Sequence, residues 1–312
     1  MYKKNSKISV ASRSFSNNQL LRSEINAIYD CVQFNETGEK LNGDTLCDFL
    51  GGCDKAIVGL EEIDEKILER LPRLKVISKY GVGLDAIDLS ALRKYKVALG
   101  WTPGVNKRSV SELALGLMIC LLRKIQEGNN EVTAGIWRQN IGRTLTGKTI
   151  GIIGFGNIGK DLAKLLGAFE CNIYVYDLLE DEKFKGLKNI HYMDLDQLLS
   201  ESDVVSLHLP LDSSTRNILS LDKLNLMKQE SILINTARGG LVDEQVLYEK
   251  LTEGRISGAA FDVFEYEPPN NSRLLDLNNF IATPHIGGSS QESIIEMGRA
   301  AIRGLEINQI PL

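Results

Sequence analysis

The first hundred residues alternate between short apolar runs and segments whose apolar residues recur every three or four positions. Runs rich in valine and isoleucine predict strands, and the three-to-four spacing predicts amphipathic helices. The predicted strands are 8–11, 31–34, 55–58, 74–78 and 97–99, and the predicted helices are 20–27, 43–50, 62–70 and 88–95. Because strands and helices alternate, we expect a parallel sheet with helices on both faces, in a small flavodoxin-like domain.

The same alternation resumes at residue 149 and continues nearly to the C-terminus. Seven further strands are predicted, at 149–153, 172–176, 189–192, 203–209, 231–235, 256–261 and 280–283. With helices between them they form a doubly wound sheet. A last helix, predicted at 289–305, has no following strand to pack behind, so we place it on the first domain. The expected domains are 1–104 with 286–312, and 105–285.

The segment that joins the two blocks is a long apolar helix. Residues 109–125 are apolar on nearly every face, and Ser109 with Glu112 has the spacing of a capping box. Such a helix is buried either in the core of its own domain or against a second subunit, and the sequence does not separate the two. Residues 127–147 contain Trp137 and are expected to form an excursion before the second domain.

A glycine motif stands between the first two strands of the second block. It runs from Gly154 to Gly159, directly after a predicted buried strand and directly before a helix. In this context the first glycine permits a tight turn, Gly156 lets a pyrophosphate approach the backbone, and Gly159 lets the helix pack closely. Asp177 ends the next strand, where a carboxylate binds ribose hydroxyls and repels an extra phosphate. The motif therefore predicts a Rossmann domain that binds NAD.

Composition narrows the classes of protein that remain. The 312 residues are 43% hydrophobic and 25% charged, which is ordinary for a globular protein. The net charge of −5 argues against nucleic acid as a partner. Five cysteines without metal-ligand spacing indicate reduced thiols, a cytoplasmic protein and no metal site. We find no signal peptide or membrane span.

The sequence contains only three histidines, so few candidates exist for a histidine that acts as acid or base near neutral pH. His191 lies in a polar segment and is expected to be exposed. His208 ends an apolar strand and is either a packed, hydrogen-bonded histidine or a cofactor contact. His285 ends the last strand and opens a glycine-rich turn, which makes it the leading candidate.

Two further residue types complete a candidate reaction centre. A carboxylate is needed to orient such a histidine, and both Glu265 and Glu267 lie on an irregular segment. Arg238 follows a buried strand at a glycine turn, and its planar fork of donors suits a carboxylate.

Six motifs together resemble the D-isomer-specific 2-hydroxyacid dehydrogenases, and within that family the phosphoglycerate dehydrogenases. They are Gly81-Val82-Gly83 with Asp88, Thr102-Pro103-Gly104, Gly154 to Gly159, Asn235 to Gly239, Phe261 to Phe264 with Glu267-Pro268, and Thr283 to Gly288. The resemblance covers residues 74–312 and, more loosely, the first 73. It implies an α/β protein of two domains, a doubly wound NAD-binding domain and a discontinuous flavodoxin-like substrate domain.

The resemblance also implies roles for individual residues. Arg238 grips the substrate carboxylate, His285 moves the proton, and Glu267 holds His285. The implied substrate-binding residues are Lys79, Tyr80, Val82 and Gly83. The implied cofactor-binding residues are Gly154, Gly156, Asn157, Ile158, Gly159, Asp177, His208, Pro210, Thr215, Thr236, Ala237, Arg238, Asp262, His285 and Gly287. Asp262 is expected to face the nicotinamide carboxamide, or else only to cap a turn.

The substrate stays open. The leading expectation is 3-phosphoglycerate and its oxidised form, 3-phosphohydroxypyruvate, with Arg13, Lys79 and Arg108 as candidates to bind phosphate. Glyoxylate or hydroxypyruvate are alternatives, and so is phosphite, because phosphite-oxidising relatives carry a lysine where Lys79 stands. An NADH-sensing protein without catalysis, like the corepressors of this fold, is the alternative from another class. We expect a homodimer, and no regulatory domain beyond Leu312.

Overall fold

The computed structural model describes residues 4–184 and 189–312, which fall into two compact units. The first unit comprises Met1–Asn106 and Ser290–Leu312, and the second unit comprises Lys107–Ser289. Both crossings of the chain lie within four residues of the predicted domain boundaries. Residues 286–289 differ from the prediction, because they belong to the second unit.

The first unit is built on a five-stranded parallel sheet with strand order β2-β1-β3-β4-β5, which is the flavodoxin-like order. Its strands are β1 (Lys4–Val10), β2 (Tyr29–Phe34), β3 (Lys55–Val58), β4 (Val76–Lys79) and β5 (Ala98–Gly100). Its first helices are α1 (Arg13–Ser16), α2 (Gln19–Asn26), α3 (Gly43–Leu50), α4 (Glu65–Glu69) and α5 (Leu89–Tyr95). Helix α4 is shorter than predicted, because Ile63 pairs with Ile87 in an extended bridge and Asp64 caps the helix.

The last helix, α12 (Gln291–Gly304), packs on the first unit, as the sequence predicted. Two glycines make this contact possible. A Cβ atom on Gly100 would lie 2.1 Å from the carbonyl oxygen of Gly304, so helix and strand meet backbone to backbone. Ser78 Oγ also donates to the carbonyl oxygen of Ala301 at 2.6 Å. Helix α12 is therefore one of the helices that pack directly on this sheet.

The second unit contains the seven predicted strands, all parallel, in the order β12-β11-β10-β9-β6-β7-β8. They are β6 (Thr149–Ile153), β7 (Asn172–Tyr176), β8 (Ile190–Tyr192), β9 (Val204–Leu207), β10 (Ile232–Asn235), β11 (Gly258–Phe261) and β12 (Phe280–Ala282). Its helices are α6 (Lys107–Leu122), α7 (Ile125–Thr133), α8 (Asn157–Gly167), α9 (Leu195–Glu201), α10 (Leu221–Leu224) and α11 (Glu244–Thr252), with a short 3₁₀ turn at Arg273–Asp276. From β6 the chain adds β7 and β8 on one side and then crosses over to add β9 to β12 on the other side. The topological switch point of this doubly wound sheet therefore lies between β6 and β9.

The predicted start of helix α6 was wrong. The helix begins at Lys107, so Ser109 lies inside its first turn and Glu112 approaches Arg108 at 4.0 Å. The hydroxyl of Ser109 donates to the carbonyl oxygen of Gly287 instead of capping the helix.

The segment that follows α6 contains a helix that the sequence did not reveal. None of the residues of α7 is buried, and only Ile125 and Val132 of its nine residues have large apolar side chains. Beyond it, the side chains of Trp137 and Ile141 are 87% and 91% exposed. This exposed apolar segment, residues 125–141, is unusual for a surface.

All five cysteines are free thiols. Within residues 4–184 and 189–312, no helix has the length and apolar character needed to cross a bilayer. Across the same residues, no cluster of three or more His, Cys, Asp or Glu side chains could hold a metal ion.

Candidate active site

The carboxyl ends of six strands of the second unit form one aligned row. Cα pairing in register joins the last residues of β7, β6, β9, β10, β11 and β12. The residues that directly follow them, in spatial order along the edge, are Asp177, Gly154, His208, Thr236, Asp262 and Thr283. Because neighbouring strands are about 4.8 Å apart, this row is about 24 Å long. Five of these six residues were predicted to bind the cofactor.

The glycine motif has the geometry that a pyrophosphate needs. Gly154 has φ of +95°, and a Cβ there would lie 2.6 Å from the carbonyl oxygen of His208. A Cβ on Gly159 would lie 2.3 Å from the carbonyl oxygen of Gly154. No described atom lies within 4 Å of a Cβ built on Gly156, so a ligand can reach the backbone there. Helix α8 begins at Asn157, and no side chain caps its N-terminal N–H groups.

Asp177 is fixed beside this motif. Its Oδ2 accepts a hydrogen bond from the backbone N–H of Phe155 at 2.6 Å, and its Oδ1 accepts one from Leu179 at 2.9 Å. The side chains of Leu178 and Leu179 are exposed and bring no positive charge. The carboxylate is therefore held directly beside the glycine motif, at the end of β7.

Two buried polar atoms in the row have no partner in the described part of the chain, namely His208 Nδ1 and Thr236 Oγ1. Such atoms are rare unless a ligand or water satisfies them. His208 Nε2 lies 2.9 Å from Ser206 Oγ, so His208 is hydrogen-bonded and also borders the row. The residues of this edge fit a dinucleotide, which would supply acceptors and donors along it.

Burial lowers the pKa of His208 to about 4, so its ring is neutral at pH 7. An unfolded histidine titrates near 6.5, so acid protonates the unfolded chain first and removes stability between about pH 6.5 and pH 4. This titration lowers the free energy of unfolding of the second unit by up to about 3 kcal/mol. We expect His208→Gln to remove that pH-dependent loss. Urea titrations at pH 6.5 and pH 4, read by pulsed hydrogen exchange of β9, measure it. Equal losses of stability in both proteins would contradict the assignment.

Other predicted cofactor residues are engaged in the turns that shape the edge. Thr215 Oγ1 donates to the carbonyl oxygen of Pro210 at 2.8 Å and accepts from the N–H of Asp212. The N–H of Ala237 donates to Asn235 Oδ1 at 3.1 Å. Asn157 is exposed and Ile158 half-buried at the start of α8. These contacts give Thr215 and Ala237 a role in backbone shape.

His285 and Glu267 form a pair, with 2.8 Å between His285 Nδ1 and Glu267 Oε2. The other carboxylate oxygen of Glu267 accepts the backbone N–H of Phe264 at 3.1 Å, which orients it. Glu265 faces elsewhere: its carboxylate binds Arg216 at 3.1 Å. The structure thus separates the two candidate carboxylates, and Glu267 is the partner of His285.

Asp262 holds the turn that carries His285. Its Oδ1 accepts from the Thr283 hydroxyl at 2.6 Å and from the Ile286 N–H at 2.8 Å, and its Oδ2 accepts from the Gly287 N–H at 2.7 Å. His285 itself has φ of +54°, a left-handed conformation that costs a non-glycine residue about 1 kcal/mol. A buried carboxylate with three donors is well placed to maintain that conformation. Asp262 therefore organises the turn as well as bordering the row.

Arg238 lies on a turn that packs against the loop of Glu267. Its Nη1 donates to the carbonyl oxygen of Ala237 at 2.7 Å, and its own carbonyl oxygen accepts from Asn235 Nδ2 at 2.8 Å. A Cβ on Gly239 would lie 2.0 Å from the backbone of Phe264, so only glycine permits this approach. The arginine turn and the glutamate loop are thereby held together.

The predicted substrate-binding residues of the first unit follow strand β4. Gly81 has φ of +117°, and within the described ranges the N–H groups of Val82 and Gly83 meet no protein acceptor. Trp101 Nε1 donates to the carbonyl oxygen of Val82 at 2.9 Å, which fixes the turn. Free N–H groups on a fixed turn suit a carboxylate. Tyr80 is buried, and its hydroxyl lies 3.3 Å from Ser14 Oγ.

A polar cluster at the end of β3 was missed by sequence reasoning. Lys79 Nζ donates to the carbonyl oxygen of Gly59, and the buried carboxylate of Glu61 accepts the Gly59 N–H at 2.6 Å. A Cβ on Gly59 would lie 2.9 Å from Ser12 Oγ. Ser12 and Gly59 follow β1 and β3, the switch point of this sheet, so the rule that ligands bind at switch points could have found them.

A doubly wound unit with a dinucleotide edge, a histidine–glutamate pair and an adjacent arginine turn defines a nicotinamide-dependent oxidoreductase. The family model for the NAD-binding domain of D-isomer-specific 2-hydroxyacid dehydrogenases matches residues 115–287. The chain belongs to this family, and it is an NAD-dependent dehydrogenase of hydroxy acids.

Individual relatives divide between substrates. The hydroxypyruvate reductase of Thermotoga maritima is 40% identical over 268 residues, which cover 84% of this chain and 87% of that protein. The glyoxylate reductase of Thermococcus litoralis is 37% identical, covering 78% and 77%. The D-3-phosphoglycerate dehydrogenase of Methanocaldococcus jannaschii is 39% identical over a match that covers 74% of this chain but only 45% of that protein. Among solved structures, D-lactate dehydrogenase from Aquifex aeolicus, complexed with NAD and lactic acid, has a TM-score of 0.83 at 27% identity, covering 95% and 93%.

Proposed function

We propose that this dehydrogenase reduces a small, unphosphorylated 2-oxo acid, hydroxypyruvate or glyoxylate, to the hydroxy acid, with His285 as proton donor. The observation that carries the proposal is the 2.8 Å contact between His285 Nδ1 and Glu267 Oε2. A carboxylate at one ring nitrogen orients the imidazole and stabilises its protonated form. The other ring nitrogen, Nε2, is then free to donate its proton to the substrate.

The reaction needs a hydride and a proton at the two ends of one carbonyl bond. A nicotinamide cofactor held along the row of strand ends would supply the hydride that the carbonyl carbon accepts. His285 gives its Nε2 proton to the carbonyl oxygen and recovers one from water after product release. Arg238 offsets the substrate carboxylate and polarises the carbonyl. The reverse direction uses the same groups, with neutral His285 as base.

The cations proposed for a phosphate favour the unphosphorylated substrate. Arg108 is paired with the buried carboxylate of Asp161 at 3.1 Å. Lys79 is buried and donates to the carbonyl oxygen of Gly59. Arg13 alone of the three is exposed and without an ion pair in the described ranges. A dianionic phosphate is normally met by several free donors, so we place 3-phosphohydroxypyruvate second, supported by the Methanocaldococcus relative.

One screen of initial rates tests the substrate. NADH oxidation is followed with hydroxypyruvate, glyoxylate, pyruvate and 3-phosphohydroxypyruvate, and NAD reduction with phosphite. We expect kcat/KM for hydroxypyruvate or glyoxylate to exceed that for 3-phosphohydroxypyruvate at least tenfold. The opposite order would establish the phosphorylated substrate, and activity with phosphite alone would overturn the proposal.

The cofactor preference gives a separate prediction. Asp177 accepts a hydrogen bond from the N–H of Phe155 in the glycine motif and carries the charge that disfavours NADPH. We expect Asp177→Ala to lower the ratio of kcat/KM for NADH over NADPH at least tenfold, since about 1.4 kcal/mol is a factor of ten. Asp181→Ala, which removes a carboxylate paired with Lys160, is the control and should keep the ratio. An unchanged ratio in Asp177→Ala would exclude Asp177 as the selecting residue.

We also propose a homodimer, supported by the exposed apolar segment at 125–141. Ile125, Val132, Ile136, Trp137 and Ile141 are all at least half exposed there, and a second copy of the chain would cover them. Sedimentation at micromolar concentration should give a dimer that Trp137→Glu shifts towards monomer. The control Leu60→Glu changes another exposed apolar residue and should leave the dimer intact. A monomeric parent protein would contradict the proposal.

A further inference from the structure

The turn that carries His285 is held on two sides. Asp262 holds it from the end of β11, through the Ile286 and Gly287 N–H groups. On the other side, Ser109 Oγ in the first turn of α6 donates to the carbonyl oxygen of Gly287 at 2.6 Å. Gly287 thus has its N–H bound to one element and its carbonyl oxygen bound to another.

The space around Gly287 is filled. A Cβ there would lie 3.0 Å from Asp262 Oδ2 and 3.5 Å from Val110 Cγ2, so the turn is enclosed between β11 and α6. Helix α6 is itself anchored, because Arg108 and Ser111 both bind the buried carboxylate of Asp161 in α8. Ser109 therefore joins the catalytic turn to a helix that cannot easily shift.

The Ser109–Gly287 bond also lies beside both crossings of the chain between the units. Ser109 is two residues after the second unit begins, and Gly287 is two residues before it ends. The hydrogen bond consequently ties the outgoing and returning segments to each other, at the turn that presents His285.

We propose that Ser109 is a positioning residue, which keeps the imidazole of His285 in its reactive orientation through Gly287. This inference rests on the proposed function, in which His285 moves the proton. The backbone of His285 is in the left-handed region, with φ of +54°. A non-glycine residue keeps such a conformation only where several contacts with the surrounding structure hold it there. Without the Ser109 hydroxyl the Gly287 carbonyl loses its partner, and the turn can relax by the small distance that matters for proton transfer.

A matched pair of serines tests the proposal. In Ser109→Ala we expect kcat to fall about 10- to 100-fold, because a misplacement of about 1 Å costs on that order, with the Kd for NADH unchanged. Ser202→Ala removes another buried hydroxyl, which donates to the carbonyl oxygen of Leu198 at 2.6 Å and lies just before β9, at the opposite end of the strands from the row. It should lower Tm at least as much as Ser109→Ala while leaving kcat within twofold. Ser109→Thr keeps the hydroxyl and should recover most of kcat.

A kinetic signature separates positioning from general loosening. If proton transfer is what slows, the solvent deuterium isotope effect on kcat should rise in Ser109→Ala and stay at the parent value in Ser202→Ala. An inactive His285→Ala, together with equal kcat values for the two serine variants, would overturn the role of Ser109 and leave the proposed function standing. Retained turnover in His285→Ala would overturn both.

Discussion

Replacing His285 with alanine should lower kcat about 10³-fold, while the Kd for NADH changes little. A positioned proton donor contributes about 10²- to 10⁴-fold, and we expect the middle of that range for a histidine that Glu267 orients at 2.8 Å. Glu267→Gln should cost less than His285→Ala. Its amide oxygen can still accept the Nδ1 proton, but it no longer stabilises the charged ring.

His191→Ala is the matched control for this experiment. His191 lies on β8 with its ring 6.0 Å from that of Tyr174, away from the row of strand ends. Its removal should leave kcat within twofold. Stopped-flow reduction of substrate by pre-bound NADH isolates the chemical step. If His285→Ala kept more than a tenth of the parent rate in that step, the assignment of the proton donor would be wrong.

Replacing Arg238 with lysine should lower kcat/KM for the 2-oxo acid about 10²- to 10³-fold. Loss of one partner of a buried charge pair costs about 2 to 5 kcal/mol, and a lysine replaces a fork of fixed donors by one point charge. The turn around Arg238 should survive, because Asn235 Nδ2 binds the backbone carbonyl of residue 238 and not its side chain. The fall should appear in both KM and kcat, since the guanidinium acts on carboxylate and carbonyl.

Arg273→Lys controls for the loss of an arginine near the same face of the unit. Arg273 stacks on the Tyr248 ring at 4.0 Å and donates to its hydroxyl, and no predicted catalytic residue is among these contacts. Its kcat/KM should equal that of the parent protein. An Arg238→Lys variant with unchanged KM for substrate would show that the carboxylate is bound elsewhere.

The sequence predicted the strands well, because parallel buried strands are short, continuous apolar runs that end in polar or glycine residues. The row from Asp177 to Thr283 follows directly, since carboxyl ends of parallel strands meet at one edge. The sequence could not predict which partner each polar side chain binds. Glu265 and Glu267 are two residues apart on one loop, and only the fold turns the first towards Arg216 and the second towards His285.

Short sequence motifs gave wrong predictions where a side chain binds a residue far away in the sequence. Ser109 and Glu112 match a capping box, yet the hydroxyl of Ser109 binds a carbonyl oxygen 178 positions away in sequence. Helix α7 buries none of its residues and has only two large apolar side chains, too few to predict a packed helix from the sequence. Ser12 and Glu61 gain their buried polar surroundings only because β1 and β3 are neighbours in the sheet.

The backbone contact between Gly100 and Gly304 has a consequence for how the protein is made. The strand at one end of this contact leaves the ribosome about 200 residues before the helix at the other end. At 5 to 20 residues per second, the strands of the first unit are made roughly 10 to 40 s before the helix that completes it, and most of the second unit is made in that interval. A purified chain that ends at Ser289 should therefore be cleaved by protease within the first hundred residues and resist it within the second unit.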